Sequence, residues 1–174
     1  MKTRFCSALP RHRYARRWMG ALLALFVTTF SLLNAAPAYA GAIDPYVARF
    51  LDVAEPVALP FDSSQSKLFS GAEISVGKRL FEDNCKTCHV GGATLPDPLV
   101  PLSLEALKAA TPPRDTINSL VAYIRHPMTY DGSEEAFSCR EVPESWMSST
   151  EVENLAAFII RAAQKAPRWG STLF

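Results

Sequence analysis

Two cysteines and a histidine lie within five positions of one another, in the run Cys85-Lys86-Thr87-Cys88-His89. At the end of a helix, cysteines with this spacing face the same way, and a histidine directly after the second can turn its imidazole beneath a group that both sulfurs hold. The C-x-x-C-H spacing is the attachment signature of a c-type haem. The sequence therefore predicts one haem bonded covalently to Cys85 and Cys88, with His89 as the proximal iron ligand.

Two other kinds of site use a cysteine pair with this spacing, and the sequence favours neither. A thioredoxin-like dithiol stands in a βαβ context, which the segments around residues 85–89 do not provide. A structural zinc site needs a second pair of ligands, and Cys6 and Cys139 are single cysteines far apart in the chain.

Spacing alone does not determine which residue binds the iron on the side away from His89. The downstream candidates are His126, Met128, Cys139 and Met147. Met128 would give the common histidine–methionine pair, whereas His126 could equally be a solvated residue that caps a helix. Cys139 lies in an acidic loop. These alternatives stay open at this point.

Hydrophobic periodicity predicts an all-α domain around one central group. The predicted helices are residues 72–84, 103–110, 114–125 and 150–166. The first begins at Ser70, where Glu73 completes a capping-box pattern, and Pro127 and Pro167 end the last two. Residues 126–146 have no periodicity and are predicted to be loops.

Gly77 and Phe81 lie one turn apart on the helix before the haem motif, and Phe158 lies midway along the last helix. A glycine inside a helix costs up to about 1 kcal/mol relative to alanine, so it usually marks a close approach of two backbones. Class I cytochromes c cross their first and last helices at such a glycine. We predict that Gly77 and Phe81 pack against Phe158 in a class I cytochrome c-like fold.

Residues 1–40 have the composition of a cleavable secretory signal. They hold six basic residues and no acid, and an apolar run over 18–33 precedes the A-x-A ending at Ala40. The run is shorter than the roughly 20 residues that span a bilayer, although an uncleaved anchor is the alternative. After cleavage, residues 41–70 are predicted to form an extended arm with a short strand or β-hairpin, and residues 71–174 the monohaem domain.

Removal of this leader changes the charge of the protein. The leader takes six of the 18 Lys and Arg and none of the 17 Asp and Glu, so 12 basic residues remain against 17 acids, a net charge of −5. An acidic domain has no electrostatic footprint for nucleic acid. Three cysteines remain, and an odd number in an exported protein indicates a thiol with a function, or a disulfide pair and one leftover thiol.

Five runs of the mature chain are specific enough to compare with a known family. They are GKRLF at 77–81, CKTCHVGG at 85–92, ATPPRD at 110–115, PMTYDG at 127–132 and WG at 169–170. In this order they resemble the cytochrome c-550 (PsbV) family of photosystem II. The resemblance implies a monohaem class I domain with an N-terminal arm, and members of this family dock on the lumenal face of photosystem II and support oxygen evolution.

The family's distal ligand is a second histidine, in a segment after the TYDG turn. This chain has no histidine after His126, and it carries Phe-Ser-Cys-Arg over 137–140 at about that place. The resemblance therefore implies Cys139 as the distal ligand, with Met128 and His126 as alternatives, in a diverged c-550-like paralogue. A thiolate ligand stabilises Fe(III), so the reduction potential is expected to be low.

Two protein ligands leave the iron no open position, so an electron carrier is expected rather than an enzyme. The expected partners are lumenal subunits of photosystem II or soluble redox proteins, reached from the thylakoid lumen at the membrane periphery. One alternative is a structural extrinsic subunit with a redox-silent haem. The other is a redox or gas sensor, in which the Cys139–iron bond breaks on reduction.

Overall fold

A computed structural model of the chain describes residues 41–95 and 100–171. Within these ranges the elements, in chain order, are α1 (Pro45–Phe50), β1 (Val57–Pro60), β2 (Ser66–Phe69), α2 (Gly71–Asn84), a 3-10 turn (Val90–Gly92), α3 (Leu104–Ala109), α4 (Ile117–Arg125) and α5 (Ser149–Lys165). The mainly helical fold predicted from periodicity is confirmed. The leader predicted over residues 1–40 lies outside the described residues.

The N-terminal arm contains a helix that the sequence analysis did not predict. The Asp44 carboxylate accepts hydrogen bonds from the backbone N–H groups of Tyr46 (2.8 Å) and Val47 (3.2 Å), which caps α1. Pro45 stands at the start of this helix, where a missing N–H costs no hydrogen bond. The predicted arm is therefore extended only in part, because Pro45, which breaks a long helix, here begins a short one.

The rest of the arm forms the predicted hairpin and is tied to the helical core. β1 and β2 pair antiparallel with Val57 opposite Phe69, and the Phe69 side chain is buried. The guanidinium of Arg161, on α5, donates to the backbone carbonyls of Leu51 and Asp52, both at 2.7 Å. These contacts hold the arm against the last helix.

α2 and α5 cross at Gly77, as predicted. A Cβ atom at Gly77 would lie 1.9 Å from the backbone oxygen of Asn154, so only glycine fits. Beside the crossing, the rings of Phe81 and Phe158 have centroids 5.4 Å apart, and Trp169 packs on both at 5.4 and 5.6 Å. Close backbone contact and interlocked rings therefore fix the end of α2, where the haem motif begins.

α4 begins later than the sequence analysis predicted. Its N-cap is Thr116, whose hydroxyl accepts from the backbone N–H of Ser119 (3.2 Å), so the helix starts at residue 117 and not at 114. Arg114 instead stays in the preceding loop, where its side chain has other partners. α5 begins with a capping box between Ser148 and Glu151.

Among the described residues, no helix has both the length and the apolarity needed to cross a membrane.

Candidate haem site

The haem motif turns away from the end of α2 through backbone hydrogen bonds. The N–H of Cys85 donates to the Phe81 carbonyl (2.8 Å), and the N–H groups of Cys88 and His89 donate to the Cys85 carbonyl (3.1 and 2.9 Å). This turn places Cys88 and His89 on the wall of a cleft of about 340 Å³. That volume lies within the range of cofactor pockets.

Most of the cleft wall is apolar and comes from three segments that follow the motif. These side chains are Val100, Pro101, Leu102, Ala106, Leu107, Ala110 and Leu120. Such a wall excludes water and suits the face of a porphyrin.

Over 41–95 and 100–171, no group of three or more His, Cys, Asp or Glu side chains is arranged to hold a metal ion.

His89 is held as the tautomer with its proton on Nδ1. Its Nδ1 lies 3.1 Å from the Thr94 hydroxyl oxygen, and that hydroxyl donates its own proton to the carbonyl of Val100. The oxygen must therefore accept from Nδ1–H, which leaves Nε2 unprotonated and able to ligate a metal. Burial lowers the pKa of His89 and so favours the neutral imidazole.

The first cysteine of the motif packs against the hydrophobic core. Burial is the main cause that raises the pKa of Cys85 to about 12, and the charges of Cys139 and Cys88 act in the same direction. The three sulfurs are therefore near enough to influence one another. Cys88 and Cys139 line the cleft, whereas Cys85 packs against the core.

Two of the four candidates for the distal ligand line this cleft. They are Met128 and Cys139. His126 is exposed as the C-terminal cap of α4. Met147 is buried in the hydrophobic core with 2% of its surface exposed. Of the four candidates for the distal ligand, only the thioether of Met128 and the thiol of Cys139 therefore line the cleft.

Cys139 has a polar neighbour that the sequence did not reveal. The side chain of Tyr123 lies beside it, and the Arg114 guanidinium stacks over the Tyr123 ring at 3.9 Å from the centroid. Burial raises the pKa of Cys139, while the Tyr123 hydrogen bond and the Arg114 charge oppose that rise. Burial also raises the pKa of Tyr123, so its hydroxyl stays protonated and able to donate.

Arg114 also holds the turn that carries Met128. Its guanidinium donates to the backbone carbonyls of Met128 (3.1 Å) and Thr129 (2.6 Å), and Met128 forms an isolated β-bridge with Glu135. The ATPPRD and PMTYDG runs are therefore one structural unit. Sequence analysis could recognise both runs, but it gave no indication that the arginine of one binds the carbonyls of the other.

Comparison with known proteins gives consistent results. Residues 51–174 match the model of the cytochrome c-550 domain. A cytochrome c-550-like protein of Thermosynechococcus vestitus is 51% identical over 158 residues, which cover 90% of both chains. Photosystem II extrinsic protein V of Gloeobacter violaceus is 54% identical over 129 residues, which cover 74% of this chain and 69% of the relative.

Solved structures support the same assignment of the fold. The PsbV2 cytochrome of Thermosynechococcus elongatus is 57% identical, with a TM-score of 0.72, and the match covers 74% of this chain and 98% of that one. Cytochrome c549 is 34% identical, with a TM-score of 0.56, over 62% of this chain and 90% of that one. The fold is that of class I cytochromes c with one haem.

Proposed function

Because this chain belongs to the cytochrome c-550 family and carries a covalently bound c-type haem, we propose that it is a low-potential electron carrier or accessory subunit of photosystem II. Cys85 and Cys88 would hold the haem, and His89 and Cys139 would bind its iron. One observation supports this proposal above the others. The neutral imidazole of His89 and the thiol of Cys139 line the same apolar cleft.

The bound haem supplies a one-electron iron couple, and the residues of this chain set its potential. A thiolate at Cys139 adds a full negative charge on the iron, which favours Fe(III). The Tyr123 hydroxyl moderates that charge by its hydrogen bond to the sulfur. The apolar side chains from Leu102 to Leu120 exclude water. With His89 and Cys139 both bound to the iron, the site would be suited to electron transfer and not to turnover of a substrate.

The relatives support a place of action at photosystem II. Proteins named photosystem II extrinsic protein V match most of this chain. The predicted leader is of the export type, and we propose that the mature protein lies in the thylakoid lumen at the membrane periphery. Its partners there would be lumenal subunits of photosystem II or soluble redox proteins.

The first testable prediction concerns cleavage of the leader and covalent attachment of the haem in the exported protein. Intact-mass measurement is expected to show loss of residues 1–40 and a gain of one haem mass that survives acid–acetone extraction. Cys85→Ala with Cys88→Ala should lose that added mass, whereas Cys139→Ala should keep it, because only the first two thiols form thioether bonds. Haem that extracts from the wild-type protein would contradict covalent attachment.

Association with photosystem II is the second prediction. Holoprotein added to photosystem II particles stripped of their extrinsic proteins is expected to co-sediment with them and to raise oxygen evolution. Binding should weaken with salt, because the mature domain has a net charge of −5. A small c-type cytochrome of another family with a similar charge is the control. If neither protein co-sediments, the role is that of a soluble carrier.

A further inference from the structure

We infer that Thr94 is a positioning residue for the haem, because it fixes the proton on Nδ1 of His89 and so sets the orientation and basicity of the axial imidazole. The inference rests on the proposed ligation by His89. It does not depend on which sulfur binds the iron on the other side, or on any role at photosystem II.

The geometry around Thr94 allows only one direction of hydrogen bonding. The hydroxyl oxygen lies 3.1 Å from His89 Nδ1, and the hydroxyl also contacts the carbonyl oxygen of Val100. A carbonyl oxygen has no proton to give, so the hydroxyl must donate to Val100. The same oxygen then accepts from Nδ1–H. A chain of two hydrogen bonds therefore runs from the imidazole to the backbone.

Thr94 lies between two backbone positions, Gly92 and Leu95, that are each held by a hydrogen bond. The N–H of Leu95 donates to the Cys88 carbonyl (2.9 Å), which ties the loop back to the haem motif. The N–H of Leu102 donates to the Gly92 carbonyl (2.7 Å), and the Trp169 indole N–H donates to the Leu102 carbonyl (2.9 Å). The hydroxyl therefore stands at a fixed place beside the imidazole, and does not have to be ordered when the haem binds.

A fixed acceptor at Nδ1 has an electronic consequence. A histidine ligand that donates its second N–H becomes more basic and gives more electron density to the metal. Greater donation stabilises Fe(III) over Fe(II), so Thr94 lowers the reduction potential in addition to any effect of the distal ligand. Valine has nearly the shape of threonine but offers no hydrogen-bond acceptor. Thr94→Val therefore removes the hydrogen bond to Nδ1 and changes the side-chain volume little.

The experiment compares Thr94→Val with Thr94→Ser, which keeps the hydroxyl, and with Thr150→Val, a matched change at an exposed site on α5. In redox titration of the holoproteins, Thr94→Val is expected to shift the ferric–ferrous equilibrium toward Fe(II) on the order of tenfold, by analogy with the smallest losses of metal affinity that follow removal of such a partner. Thr94→Ser and Thr150→Val should stay close to the wild type. A wild-type potential in Thr94→Val would overturn the inference, because a merely structural threonine would change stability and not the potential.

A second measurement needs no variant, and it can refute the role of Thr94 even if Thr94→Val does not assemble. In NMR of the ferric holoprotein labelled with ¹⁵N-histidine, the ring of His89 is expected to show a large paramagnetic shift and a slowly exchanging Nδ1–H. His126 is exposed and is the internal control. A shifted ring whose Nδ1–H exchanges as fast as that of His126 would refute the role of Thr94. An unshifted His89 ring would refute the proposed ligation itself.

Discussion

Gly77→Ala is expected to destabilise the holoprotein, although alanine is the better helix former. Alanine in a helix interior gains up to about 1 kcal/mol over glycine. At Gly77, however, the new Cβ would lie 1.9 Å from the Asn154 carbonyl oxygen and 2.9 Å from Phe158 Cβ. The first of these atoms belongs to the backbone and cannot rotate away. α5 as a whole would have to move off α2, and the loss should exceed the gain in propensity.

Gly77→Leu is expected to have a larger effect and to prevent accumulation of a stable holoprotein. Overpacking costs about 1–3 kcal/mol and sometimes more, and a leucine here would also separate the Phe81 and Phe158 rings. The measurements are the yield of haem-loaded protein and its unfolding by denaturant. Arg79→Leu places the same side chain at an exposed site on α2 and should change little. Wild-type stability in Gly77→Ala would show that the helices do not meet as described.

This crossing shows what the sequence could predict. Gly77 and Phe81 stand one helical turn apart, which identifies an internal glycine beside an aromatic residue, and a glycine inside a helix usually marks a close approach of two backbones. The capping box at Ser70 and the hairpin in the arm are likewise local patterns. Each depends on residues within about one or two turns of one another, so one sequence is enough to recognise them.

The distal side of the site could not be predicted in this way. Tyr123 and Cys139 are 16 positions apart, with an aperiodic loop between them. Met128 and Cys139 both line the cleft, and the position of Met128 depends on how Arg114 holds its turn through two backbone carbonyls. Backbone carbonyls are present at every residue, so no pattern of side chains marks the partners of an arginine. The predicted start of α4 at residue 114 was wrong for the same reason, because Arg114 stays in the loop and binds these carbonyls.

Cys139→Ser is expected to change the low-spin spectrum of the ferric protein and to raise its reduction potential. A thiolate puts a full negative charge on the iron and favours Fe(III), whereas a serine hydroxyl is a weak neutral ligand. Axial ligands spread haem potentials over roughly 0.8 V, and replacement of a thiolate should move the potential through a sizeable part of that range. The wild-type protein should therefore resist reduction by ascorbate. Acid should release the sulfur, because only the thiolate is a good ligand.

Met128→Leu is the matched test, because Met128 is the other sulfur that lines the cleft. The backbone of Met128 is held by Arg114 and by the bridge to Glu135, so leucine should keep the turn intact and leave spectrum and potential near those of the wild type. A thioether ligand is neutral and favours Fe(II), which gives the opposite set of results. If Met128→Leu turned the iron high-spin while Cys139→Ser left spectrum and potential unchanged, the protein would be a high-potential histidine–methionine carrier. If both variants kept the wild-type spectrum, neither sulfur would be the ligand, and the segment that carries His126 would have to fold over the cleft.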